Sequence, residues 1–340
     1  MTTPAAPQVL PTWRKILYGM GDLYGGGSFT LINLFYLIFL TDVAGLSPAW
    51  AGVIMFVAKV WDAVVDPFIG YLSDHTRSRF GRRRVYFLAG IVPVGISFAL
   101  LWVAPPGLGT LARVAWFLVV SLVFRTVFSL VMTPYSALIP ELSDDYAERS
   151  SITGYRMVCS TASTLLMATL PSLVVARYDA PALGYAVMGA LFAIYFALPW
   201  IGVFFASYEP AGAPAPAARS LAAEAGPKGL LQRLGREYRA ALGNRSFALL
   251  IGLYLLGYLA IDVNSTVMLY FAQYVLGMPI GIQSSLLLGV ATFTQVAVMP
   301  LYINLAKKRG KRVAFVGGAL LWLLLGPVLL LFGPDSSRLL

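Results

Sequence analysis

Residues Lys59–Arg84 read K-V-W-D-A-V-V-D-P-F-I-G-Y-L-S-D-H-T-R-S-R-F-G-R-R-R. The first half belongs to an apolar run long enough to cross a bilayer, yet it holds Lys59, Asp62 and Asp66. The second half is a dense basic turn. An ionisable side chain in hydrocarbon costs at least ~2.5–3.5 kcal/mol on insertion scales, so three within so short a stretch need a reason. On a helix, positions i, i+3, i+4 and i+7 share a face. Lys59, Asp62 and Asp66 fall at i, i+3 and i+7, and the two aspartates are i, i+4 to each other. Two converging carboxylates suit Na⁺ or Li⁺, or share a proton, with Lys59 as an internal counter-charge. The alternative is a salt-bridged trio that only ties helices together, a task that excess negative charge serves poorly.

Working outward, the whole chain of 340 residues is 59% hydrophobic and 12% charged, with mean hydropathy +0.76. Soluble domains run nearer ~45–50% apolar and ~25% charged. The class expected is an all-α polytopic membrane protein. Met1–Pro11 has no charged segment ahead of an apolar one, so no cleaved secretory signal is expected. The single Cys159 excludes an internal disulfide framework. Nine spans are expected, at roughly 13–40, 48–74, 85–104, 110–139, 153–176, 181–207, 246–275, 281–303 and 313–332.

The net charge of +10 reads as a sidedness bias rather than as a nucleic-acid surface. Alternate connections collect twenty of the 25 Lys and Arg. These are Arg14 and Lys15, the turn from Arg77 to Arg84, Arg149 and Arg156, six residues between Arg219 and Arg245, and five between Lys307 and Arg312. The opposite connections hold Arg113, Arg177 and Arg338. The positive-inside rule puts the N-terminus in the cytoplasm, in a cell membrane. The longest connection, Tyr208–Asn244, opens with the Pro/Ala stretch E-P-A-G-A-P-A-P-A-A. It continues as an Arg-rich segment able to form a surface helix over Leu230–Leu242.

The connection divides a six-helix bundle (1–207) from a partial three-helix bundle (245–340), with 208–244 as a linker. An internal repeat supports the division. Span two ends in D-P-F-I-G-Y-L-S-D-H-T-R-S-R-F-G-R-R-R-V-Y-F-L-A-G, and span eight in M-P-L-Y-I-N-L-A-K-K-R-G-K-R-V-A-F-V-G-G. Each is second in its half. Parallel halves of six helices are the major facilitator arrangement. The expectation is that fold with three helices of the second half lacking.

Other polar groups fall within spans. Asp22 lies in the glycine-rich G-M-G-D-L-Y-G-G-G. Arg125 heads a stripe with Ser129, Met132 or Thr133, and Ser136. An Arg at that depth must face a cavity or a carboxylate. Pairing with Asp22 is expected ahead of direct contact with an anionic solute. Asp262, in I-D-V-N-S-T, would face the first half across a cavity. Lone His75 reads as a solvated loop residue. Asp74, Arg79 and Arg82, with Lys59, are candidates for a charge clamp that holds one conformation. No metal-ligand cluster, nucleophile–base arrangement or phosphate loop occurs in the sequence. No enzymatic activity and no resident cofactor are therefore expected.

W-D-A-V-V-D-P followed by D-H-T-R-S-R-F-G-R-R-R resembles the glycoside–pentoside–hexuronide:cation symporters, the group of the melibiose permease. So do Y-G-M-G-D-L-Y-G (18–25), T-D-V-A-G-L-S (41–47), P-Y-S-A-L-I-P-E-L (134–142), E-R-S-S-I-T-G-Y-R-M (148–157) and Y-L-A-I-D-V (258–263). The resemblance implies cation-coupled uptake of a sugar, glycoside, uronide or related solute by alternating access. It implies Asp62, Asp66 and Ser129 as cation ligands, with Na⁺, Li⁺ or H⁺ as the coupling cation. Substrate-site candidates are Asp22, Gly26, Arg125, Met132, Tyr135, Arg156 and Asp262. Gly26, Met132 and Ser136 stand where the melibiose permease has two sugar-binding aspartates and a stacking tryptophan, so the galactoside half of the site is not retained. Arg156 matches a helix-five sugar-contacting arginine only with a one-residue shift, and the coupling lysine of helix eleven would lie beyond Leu340. P-Y-S-A-L with E-R-S-S-I-T-G-Y-R-M also resembles the animal sodium-dependent lysolipid symporters, which keeps an amphiphile substrate open. A transport-incompetent fragment is a further alternative. The expected partners are a small solute, its cation and the bilayer, with no nucleic acid, in a monomer if complete.

Overall fold

The computed structural model describes residues 10–143, 145–209 and 243–326. All regular structure among them is helical, as a bilayer requires, because a helix satisfies its own backbone groups. The first span is α1 (Thr12–Gly19) and α2 (Gly21–Leu31), continued by π-helical turns at Ile32–Tyr36 and Phe39–Val43. Five spans follow in the first group: α3 (Pro48–His75), α4 (Arg84–Leu100), α5 (Thr110–Leu142), α6 (Tyr146–Val175), and α7 (Pro181–Ala197) broken from α8 (Pro199–Ala206). The second group holds α9 (Arg245–Tyr270) with a π-helical end at Phe271–Val275, α10 (Ile282–Arg309) and α11 (Lys311–Leu325). The order and approximate bounds of the expected spans are met as far as the described residues reach, the end of the ninth (327–332) lying outside them. Among the described residues, five helices are long and apolar enough to cross a membrane on length and composition alone. The surface helix expected over Leu230–Leu242 lies outside the described residues.

Local sequence explains the helix ends. Ser47 caps α3 by accepting from Trp50 N, with Pro48 in the first turn. Asp145 caps α6, its carboxylate accepting from Ala147 N at 3.3 Å and Glu148 N at 3.1 Å. The two groups share a feature the sequence reading did not anticipate. Span one and span seven both end in a π turn closed by a glycine in the left-handed region, Gly45 (φ 68°) and Gly277 (φ 66°). Ala44 N donates to Phe39 O at 2.8 Å and Leu276 N to Phe271 O at 3.1 Å. The basic turns after spans two and eight likewise each use a left-handed glycine, Gly81 (φ 103°) and Gly310 (φ 89°). Only glycine takes such backbone angles without steric cost.

The first span lies against α6, α3 against α5, and α4 against α7. The aromatic core of the first group fills the space between them. Trp102 stacks on Tyr185 with centroids 5.9 Å apart, and Phe87 stacks on Trp200 at 5.7 Å. All four are buried, while large apolar side chains such as Phe56, Val92, Leu111 and Phe205 are exposed, as a lipid-facing perimeter requires. The second group docks through α10 on α6 and α9 on the π turn at Ile32–Tyr36.

Close approach of α2 to α6 and α7 depends on glycine. A Cβ on Gly27 would lie 2.9 Å from Phe196 Cε1 and closer still to Ser163 Oγ, whereas one on Gly52 would meet nothing within 4 Å. Gly27→Val is expected to cost about 1–3 kcal/mol by overpacking. It should lower the thermal unfolding temperature in micelles, with Gly52→Val near the native value.

Candidate functional site

Spacing on two neighbouring helices builds the centre of the site. Asp62 and Asp66 are one turn apart on α3, and Arg125 and Ser129 are one turn apart on α5. Because α3 and α5 pack along their length, the four meet as two rungs. Arg125 Nη1 donates to Asp62 Oδ2 at 2.5 Å, and Ser129 Oγ donates to Asp66 Oδ1. Trp61 Nε1 donates to Thr126 Oγ1 at 2.9 Å on the flank. Arg125 is buried, with its guanidinium over the Phe29 ring at 4.7 Å. Asp62 Oδ1 is shielded from solvent and has no hydrogen-bond partner, while Asp66 is exposed.

Lys59 does not turn toward its own helix's carboxylates. It donates to Asp262 Oδ2 on α9, and Asn33 Nδ2 reaches Asp262 Oδ1 at 3.4 Å. The counter-charge expected of Lys59 is therefore supplied to Asp62 by Arg125, and Lys59 instead ties the two groups together. Its four-carbon stem spans a gap that spacing within α3 could not reveal. A cavity of about 500 Å³ is lined by Asn264, Ser265, Thr292, Gln295 and Trp322 among others, and Asp262 is not part of its lining.

The pairing expected between Arg125 and Asp22 is corrected. Asp22 is held by Arg156, Nε to Oδ2 at 2.5 Å and Nη2 to Oδ1 at 3.3 Å, with both residues buried. Arg156 Nη2 also reaches Ser136 Oγ at 3.5 Å, and its guanidinium lies 4.3 Å over the Tyr135 ring. Tyr135 is fully buried, and its hydroxyl donates to Tyr18 O at 2.7 Å while Tyr18's hydroxyl donates to Tyr135 O at 2.6 Å. It thus offers Arg156 a ring face and no free hydroxyl. Gly26 is a helix contact, since a Cβ there would sit 2.9 Å from Ser160 O. Met132 packs half-buried against the core.

At the basic turn, Arg83 is the centre of the ion pairs rather than Arg79. Arg83 Nη2 donates to Asp74 Oδ1 at 2.6 Å, and its Nη1 lies 3.0 Å from Glu141 Oε1. Arg82 Nη2 donates to both Glu141 oxygens, at 2.8 and 3.0 Å. Arg79 lies over the Phe80 ring at 4.7 Å. Glu209 accepts from the backbone N–H groups of Arg82, Arg83 and Arg84 at 2.8, 2.7 and 3.0 Å, at the start of α4. A carboxylate there meets both the free N–H groups and the positive end of the helix dipole. Sequence reading missed Glu141 and Glu209. The available signal was their place, beside prolines at span ends on the side that collects the arginines. It also missed the buried pair Lys15–Glu148 at 2.8 Å, where Glu148 accepts from Leu10 N as well.

Over residues 17–339 the chain matches the family described as MFS/sugar transport protein. An isoprimeverose transporter of Lactiplantibacillus pentosus is 26% identical over 335 residues, 94% of this chain and 67% of that protein. The inner membrane symporter YicJ of Escherichia coli is 29% identical over 276 residues, 80% of this chain and 56% of that protein. The sodium-dependent lysophosphatidylcholine symporter 1-A of Danio rerio is 33% identical over 175 residues, 51% of this chain and 32% of that protein. The matched part of the chain thus spans 32% to 67% of the length of these curated relatives.

Two outcomes are expected from this geometry. Asp22→Asn leaves Arg156 buried without its partner and should cost about 3–5 kcal/mol in equilibrium unfolding, much of it recovered when Arg156→Gln is added. Glu209→Ala uncovers three N–H groups of the basic turn and should speed trypsin cleavage after Arg82–Arg84 in detergent-purified protein.

Proposed function

The chain belongs to the MFS/sugar transport protein family, and from that premise we propose cation-coupled symport of a sugar, glycoside, uronide or related small solute by alternating access. One observation carries the proposal. Asp62 and Asp66 lie one turn apart on α3, Ser129 donates to Asp66, and Asp62 Oδ1 is desolvated without a donor. Oxygen donors with net negative charge suit a small monovalent cation, Na⁺, Li⁺ or H⁺. Asp62, Asp66 and Ser129 are its proposed ligands.

The solute side draws on Asp22–Arg156 with Ser136, and on the polar cavity lining of Asn264, Ser265, Thr292 and Gln295. We place the N-terminus and the basic turns in the cytoplasm, by the positive-inside rule. Among the described residues, the hydrogen bonds between the two groups run from Asn33 and Lys59 to Asp262, from Thr41 to Tyr270, and from Tyr274 to Asp42. They lie at mid-depth and at the end away from the basic turns. This supports a conformation closed at the end away from the basic turns.

A second reading is favoured by the 33% identity to a sodium-dependent lysophosphatidylcholine symporter. It keeps the cation site and changes the cargo to an amphiphile. The test is uptake into proteoliposomes of a panel of sugars, glycosides, uronides and lysolipids under imposed Na⁺ and pH gradients. Asp66→Asn should reduce gradient-driven uptake to the level of empty liposomes with membrane insertion intact. Unchanged cation dependence in that variant rejects the site.

A further inference from the structure

We propose that Arg125 is a tethered counter-cation, and that its guanidinium and a coupling Na⁺ are alternative ligands of Asp62. The inference rests on the cation site proposed above. It starts from a census of charges at membrane depth among the described residues. Asp22 is paired with Arg156, Asp262 with Lys59, and Asp62 with Arg125. Asp66 accepts only from the Ser129 hydroxyl. The site is therefore a half-neutralised pair of carboxylates.

A Na⁺ held by Asp66, Ser129 and the desolvated Oδ1 of Asp62 would share the Asp62 carboxylate with a guanidinium 2.5 Å from its other oxygen. Two positive charges so close, one of them the buried Arg125 guanidinium, repel each other. One must give way, and the surroundings provide for Arg125 to do so. Its guanidinium lies 4.7 Å from the centre of the Phe29 ring while it is on Asp62, so the ring face can hold it as it leaves the carboxylate. A cavity of about 20 Å³ adjoins it, lined in part by Ile32, Tyr36, Met55, Lys59 and Ser121. That is room for about one water. A static brace between α3 and α5 would require neither the aromatic berth nor the space.

The competition has a consequence for the cycle. With Arg125 on Asp62, the carrier without Na⁺ keeps one uncompensated carboxylate at depth. Without Arg125 it keeps two, and the cost of moving them through the closed intermediate rises. Net uptake, which needs the empty carrier to return, is then slowed more than exchange, which does not.

Equilibrium binding of ²²Na⁺ to the purified full chain tests this at constant ionic strength with choline as the balancing cation. Arg125→Gln should lower the half-saturating Na⁺ concentration by about tenfold, the size of an ordinary coupling between two ligands. Arg125→Lys should stay near native. The gain should vanish in an Asp62→Asn background. Phe29→Leu removes the berth and should act in the opposite direction, raising the half-saturating concentration several-fold, and it keeps the test decisive should Arg125→Gln not fold. Unchanged or weaker binding in Arg125→Gln, or no change in Phe29→Leu, overturns the inference. Asp66→Asn separates the levels. If it abolishes ²²Na⁺ binding while Arg125→Gln behaves as native, only the role of Arg125 fails. If it binds as native, the cation site itself fails; if the native chain binds no ²²Na⁺, the competition with Na⁺ fails while a proton-coupled site stands.

Discussion

A charge at membrane depth must be paired, solvated or given a polar cavity, and the packing of α3 on α5 follows from meeting that constraint. Asp62 and Asp66 are presented at one-turn spacing. Arg125 and Ser129 are presented at the same spacing on the facing helix, so one register satisfies both. Shifting either helix by a residue would rotate a carboxylate away from its donor. The apolar packing around the rungs, with Phe29 over Arg125 and Phe124 and Phe128 beneath Tyr24, stiffens the same register.

The rest of the first group supports this pair of helices from two ends. At the basic end, three acids converge on the turn between α3 and α4. Glu209 reaches it from the segment after α8, Glu141 from the end of α5 and Asp74 from the end of α3. At the other end, repeat-related π turns after the first and seventh spans place Thr41 and Asp42 against Tyr270 and Tyr274. These polar links add to the packing of α10 on α6 and of α9 on the turn at Ile32–Tyr36, where Leu269 and Leu288 join the hydrophobic core of the first group.

Much of the fold was legible from the sequence, because hydrophobic runs and basic loops report directly on spans and their order. The spans fall where expected as far as the described residues reach, and the internal repeat reappears as paired left-handed glycines. The site was legible in its residue types but not in its pairings. Arg125 was matched to Asp22 on depth alone, although helix rotation brings it to Asp62 and gives Asp22 to Arg156. Tyr135 reads as a cavity hydroxyl in sequence, yet its hydroxyl is consumed by Tyr18 O. Glu141, Glu209 and Glu148 fell outside the reading because their place near span ends does not say which distant group each meets: Arg82 and Arg83, the backbone of the basic turn, and Lys15.

The sequence by itself determined the class, the spans, the side that carries the basic loops and the presence of two carboxylates on one face of α3. Each of these is a local property, set by hydropathy over about twenty residues or by helical spacing within two turns. Tertiary structure decided which cation each carboxylate meets. Asp62 and Arg125 are 63 positions apart and Lys59 and Asp262 are 203 apart. Partner choice at such distances depends on the rotation and depth of whole helices, which the aromatic core and the glycine contacts of α2 set together. For Lys59–Arg84 that physical difference separates what its residues can bind from which of them is already engaged.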